Sequence, residues 1–188
     1  MLIQMLVHQP QMLGPVLQST PPWVWGLLAA LTALGLSQAR TRSASLARIT
    51  FMPVAMIALS LWGTASAFGG SPQFGSVVLA WLAAAAAALA IVAPLAPPSG
   101  ARYHVATRTF TLPGSWIPML LILGIFLTKY IVGVELAMQP ALAHDASYTL
   151  AVGTVYGVFS GLFAGRGARL WRLASRPAPG IPTAGANA

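Results

Sequence analysis

Negative charge is almost missing from this chain: Glu135 and Asp145 are the only acidic residues among 188. Cysteine is missing altogether. Its absence excludes disulfides, thiolate metal centres, thiol nucleophiles and dithiol electron transfer. Two lone carboxylates leave no closely spaced acid pair for general acid–base work. Buried acids, the usual mark of proton-coupled carriers, reduce to Glu135. No nucleophile elbow, Walker loop or HExxH is present either. The expectation is a protein that is not an enzyme, with no cofactor and no metal site. Charged residues of either sign make up only 6%, whereas soluble domains carry about 25%.

What is abundant is apolar: 57% of residues are hydrophobic. This is a membrane composition. The net charge of +8 would suggest nucleic acid in a soluble protein. Here the arginines fall in short loops between apolar runs, so the charge reads as membrane orientation, with no nucleic-acid partner.

The chain divides into five apolar runs. Residues 1–20 are apolar but broken by Pro10 and Pro15, and lack the basic start of a signal peptide. They read as a helix lying at the interface. Spans follow at about 22–37, 49–68, 73–95, 115–138 and 146–165. Pro21 and Pro22 suit a helix start, and Trp23 and Trp25 an interfacial belt. Pro53 falls near the start of the second span. Gly69 to Pro72 form an uncharged turn. The third span carries alanine at every position from Ala83 to Ala88, and small side chains let helices approach closely. Residues 102–112 alternate polar and apolar in two pieces and read as a short β-hairpin on the membrane surface. Residues 177–188 have the composition of a disordered tail. The reading is thus one all-α integral membrane domain over 1–176, with a cytoplasmic hairpin between spans three and four.

Charge sets the orientation. Of the ten basic residues one, Lys129, is lysine. The loop after the first span holds Arg40, Arg42 and Arg48; the hairpin holds Arg102 and Arg108. The C-terminal end holds Arg166, Arg169, Arg172 and Arg176. Five crossings put all of these on one side, whereas four would split them. The positive-inside rule then places the N-terminus outside and the C-terminus in the cytoplasm, with the arginines against anionic headgroups.

Three features carry the functional reading. Lys129 lies ~18 Å along the fourth span, slightly beyond its middle, where a cation costs roughly 3 kcal/mol on insertion scales. It should therefore face protein or water. Glu135 lies six positions on, off the lysine's face. Ser60 and Tyr156 fall at a matching depth in the second and fifth spans, so hydroxyls or carbonyls of that layer are expected around the ammonium. Next, Gly153, Gly157, Gly161 and Gly165 recur every four residues and give the fifth span a smooth groove for a neighbour; the fourth span is the expected occupant, ahead of a second copy. Last, His8, His104, His144 and Asp145 read as loop residues without a ligand spacing.

At LPGSW (112–116), GIFLTKY (124–130), QPALAHD (139–145) and SGLF-GR (160–166), and at the TPPWVW start (20–25), the chain resembles an uncharacterised family of small bacterial inner-membrane proteins. The resemblance covers about residues 17 to 173. It implies a bacterial inner membrane and brings no established activity. The arrangement also resembles the family named for the cytochrome c biogenesis protein CcdC: an arginine loop, a ribbon before the fourth span, a cation within it, a basic end. That likeness implies an accessory role in membrane-protein or cofactor assembly.

Three hypotheses result: a non-enzymatic scaffold or assembly accessory with a membrane-protein partner; a small carrier or channel drawing an anionic solute to Lys129; and a haem or cytochrome maturation accessory. A cavity reaching Lys129 favours the second, a closed bundle the first, and a haem absorption band the third.

Overall fold

The computed structural model describes residues 13–175. The elements run α1 (Leu13–Ser19), α2 (Pro22–Ser37), β1 (Arg42–Ser45), α3 (Leu46–Phe68), α4 (Phe74–Val92), β2 (Arg102–His104), β3 (Thr109–Leu112), α5 (Ile117–Met138), a 3-10 turn (Pro140–His144) and α6 (Ala146–Ala174). Part of the expected N-terminal interfacial helix, together with His8, and the expected tail over 177–188 lie outside the described residues.

Local chemistry explains where the helices begin. Pro22 and Pro118 occupy first-turn positions of α2 and α5, where a missing N–H leaves nothing unpaired. The Ser45 hydroxyl accepts from the Arg48 N–H at 3.3 Å and starts α3. Asp145 Oδ1 accepts from the Tyr148 N–H at 2.7 Å and starts α6, with its negative charge at the positive helix end. Asp145 is therefore a helix cap. Four helices, α3, α4, α5 and α6, are long and apolar enough to cross a membrane, and α2 is a shorter apolar helix.

The helices form two groups. In the first, α4 and α6 make the closest pair, with α3 beside α6. The glycine ladder makes that closeness possible. A Cβ on Gly153 would stand 2.7 Å from Val77 Cγ1, one on Gly157 would run into the Trp81 carbonyl, and one on Gly161 into the Ala85 carbonyl. One on Gly165 would meet Val92 Cβ at 2.7 Å. The partner of the ladder is thus the alanine-rich third span, not the fourth as the sequence reading expected. Glycine facing alanine lets two backbones touch; the leucines and isoleucines of α5 would hold them apart. The second group is α2 antiparallel to α5: Gly35 abuts Met119, and the Thr20 and Tyr130 hydroxyls share a hydrogen bond of 2.7 Å.

The expected two-stranded hairpin is part of a three-stranded antiparallel sheet of order β1-β3-β2. The additional strand comes from the arginine loop. Ala44, Phe110 and Tyr103 stand in one cross-strand row. Phe110 is fully buried, and the row packs on Ile49 of α3 and on Leu170 and Leu173 of α6. A lone two-stranded ribbon is marginal in water; a third strand and a helical floor remove that weakness. The floor also explains why α6 runs to Ala174, nine residues past the expected end of the fifth span. Arg172 donates to the Ala93 carbonyl at 2.6 Å and Arg169 to the Ala96 carbonyl. The sheet and the ends of α4 and α6 thus lie together at one end of the bundle.

One helix start differs from expectation. Because α3 begins at Leu46, three residues before the expected start, Pro53 lies further inside it than expected. Proline cannot donate to the Ile49 carbonyl. Gly167 of α6 passes at this point, its virtual Cβ 3.0 Å from Pro53 Cγ and 3.7 Å from the Ile49 oxygen.

Candidate functional site

The two helix groups meet incompletely. Between them lies a cavity of about 810 Å³. Its walls run from Thr20 and Tyr130 to Arg42, Arg48 and Arg166 at the sheet end, with Lys129 part-way along. Half of the lining residues are leucine, isoleucine, methionine, phenylalanine or proline. Four cations line it, and no carboxylate does.

Lys129 reaches across this space from α5. Its Nζ stands 4.5 Å from the centre of the Tyr156 ring on α6. A Cβ on Gly63 of α3 would come within 2.6 Å of Nζ, so glycine there leaves the notch that receives the ammonium. The depth matching was informative about Tyr156 but not about its chemistry: the ring face meets the cation. Among the described residues the ammonium makes no hydrogen bond to a hydroxyl or carbonyl. Ser60 also lines the cavity, yet its Oγ is taken by the Trp81 indole N–H at 3.0 Å. A cation–π contact contributes about 0.5–2 kcal/mol, less than the roughly 3 kcal/mol that a mid-membrane cation costs. The protein alone does not offset the charge.

Glu135 does not help. It is buried on another side of α5 and is absent from the cavity wall. Its carboxylate lies beside the Tyr148 phenol. The sequence reading put the two charges on different faces of the helix.

The arginines among the described residues sort into three groups that the sequence treats as one. Arg40, Arg102 and Arg108 are exposed and do not line this cavity; Arg48 and Arg172, which fall in the other two groups, are exposed as well. Arg169 and Arg172 hold backbone carbonyls at the end of α4, where a cation complements the helix dipole. Arg42, Arg48 and Arg166 line the cavity. Gln38, itself buried, accepts from Arg42 Nη2 at 2.8 Å and aims it. Burial, and next the charge of Arg48, hold the Arg42 guanidinium below its usual pKa. Arg166 also stands close enough to Arg42 for the two to repel. Among the described residues no three His, Asp or Glu gather as a metal site.

Sequence reasoning missed Gly63, Gln38 and Tyr130 here. A lone glycine inside an apolar span was the available signal for Gly63. Nothing in the spacing marked Gln38 or Tyr130.

Fold and site together define a helical membrane protein with a largely apolar cavity, bordered by four cations, between its two helix groups. The chain belongs to a family of unknown function, DUF6622, whose model matches residues 1–181. No curated protein and no solved structure matches it.

Proposed function

We propose that this is a five-crossing bacterial inner-membrane protein that takes an anionic solute into its cavity at Lys129, as a small carrier or binding protein. Support for the fifth crossing comes from α2. At 16 residues it is ~24 Å long, and it lies antiparallel to α5. With α2 crossing, the arginine-bearing segments share one membrane face. The positive-inside rule makes that face cytoplasmic and the N-terminus periplasmic.

The observation that carries the solute reading is the uncompensated ammonium: Lys129 crosses a cavity walled by cations and apolar side chains, with no acid. An anion or ordered water supplies what the Tyr156 ring does not. The absence of cysteine makes the test clean. Gly133 lines the cavity one turn from Lys129, and a Cβ there meets nothing within 4 Å. Gly133→Cys should react with small thiol reagents, and with an anionic reagent faster than with a cationic one. Adding Lys129→Gln should abolish that preference. No reaction in folded protein would mean a dry, closed bundle. The scaffold or assembly-accessory reading, with its basic face on anionic headgroups or a membrane-protein partner, would then be preferred.

A further inference from the structure

The arginine end of the cavity has a chemistry of its own. Arg42, Arg48 and Arg166 converge there from three elements: β1, α3 and α6. The two acidic residues of the chain are Glu135 and Asp145. Glu135 faces Tyr148 and Asp145 caps the start of α6, at the opposite end of that helix from Arg166. Among the described residues no acidic side chain is placed to neutralise this cluster. Arg169 and Arg172, by contrast, each donate to a backbone carbonyl just after α4. Among the described residues the guanidinium groups of Arg48 and Arg166 hold no carbonyl or side-chain acceptor. Guanidinium forks match phosphate geometry.

From this cluster the cavity continues as an apolar channel. Arg166 and Tyr156 are ten residues apart on α6, or ~15 Å along the axis. That is half of the ~30 Å hydrocarbon core, the depth of one leaflet. Met52, Met56, Ile125 and Phe163 are among the residues lining the way. A charged end, then an apolar length of one leaflet, is the profile of a single lipid.

We propose that the cavity holds an anionic phospholipid, its phosphate on Arg42, Arg48 and Arg166 and an acyl chain running toward Lys129. A free phosphate shares the headgroup chemistry but leaves the channel unfilled. The assignment rests on the cavity being enterable, which is also the premise of the solute reading.

The test is native mass spectrometry of the full chain, exchanged into a mild detergent and titrated with phosphatidylglycerol, phosphatidylcholine or inorganic phosphate. The expected result is a one-to-one phosphatidylglycerol adduct. It should weaken roughly tenfold in the Arg42→Gln, Arg166→Gln double variant, by loss of charge-assisted hydrogen bonds. Ile125→Trp leaves the guanidinium groups in place and fills the channel, so it should weaken binding as well, even if the double variant fails to fold. Arg102→Gln, on the exposed sheet, should bind as wild type does. Equal affinity for phosphatidylcholine would overturn the proposal, as would an equal loss in Arg102→Gln. Displacement of the lipid by millimolar inorganic phosphate would reassign the site to a free anion. The thiol reaction at Gly133, run on the same preparations, reads entry separately. A cavity that reacts but retains no phosphatidylglycerol defeats the lipid assignment alone.

Discussion

Lys129 and Gly63 are one device made of two residues. The ammonium occupies the space that a side chain on α3 would fill, 2.6 Å from the virtual Cβ of Gly63. Because the obstructing atom is the tip of a flexible chain, Gly63→Ala should fold normally, with stability within about 0.5 kcal/mol of wild type. It should still push the ammonium out of its notch and change the rate at which Gly133→Cys meets an anionic reagent. A large drop in melting temperature with unchanged labelling would show that the notch is only packing. Lys129→Met should be neutral or stabilising by up to about 3 kcal/mol in a thermal melt, because it removes a cation that the bundle compensates poorly. At this scale the sequence was explicit about the lysine, since its composition makes it singular. It was silent about the glycine, whose role depends on a neighbour 66 positions away.

The pairing of α4 with α6 is decided by backbone contact. A methyl group on Gly157 would run into the Trp81 carbonyl and crowd Ala84 Cβ at 3.0 Å, and both belong to a helix. Gly157→Ala should therefore cost about 1–3 kcal/mol, the usual penalty for overpacking, whereas Gly133→Ala, with open space around it, should cost little. Melting both variants in detergent separates a packed ladder from an idle one. In the sheet, Phe110 is fully buried against Ile49, Leu170 and Leu173. Phe110→Ala should lose about 3–5 kcal/mol, measured in the same way. Periodicity made both the ladder and β2–β3 legible, because each is a local pattern. The third strand was hidden in Arg42–Ser45, whose Arg-Ser-Ala-Ser sequence has one small apolar residue and no alternation to detect. It forms because β3 offers an open edge and Ala44 can slide under Phe110.

Among the described residues a trio of long helices and a pair of helices are tied at one end by a sheet and left apart along a cavity. If the arginine end is cytoplasmic, cysteines placed at the two ends should react from opposite sides. Gly70→Cys, in the open turn between α3 and α4, should be labelled in intact cells by a membrane-impermeant maleimide. Ala106→Cys, exposed between β2 and β3, should be labelled only after permeabilisation. Equal labelling of both in intact cells would contradict the five-crossing arrangement. The sequence by itself determined that this chain has a membrane composition, roughly where its long apolar helices lie and which segments carry the charge. Those properties follow from runs of neighbouring residues and from counting. Only the tertiary structure decided which helix fills the glycine groove, which arginines hold carbonyls and which border the cavity. Those outcomes depend on the fit between surfaces far apart in the chain, and such fit leaves no periodic trace in either partner alone.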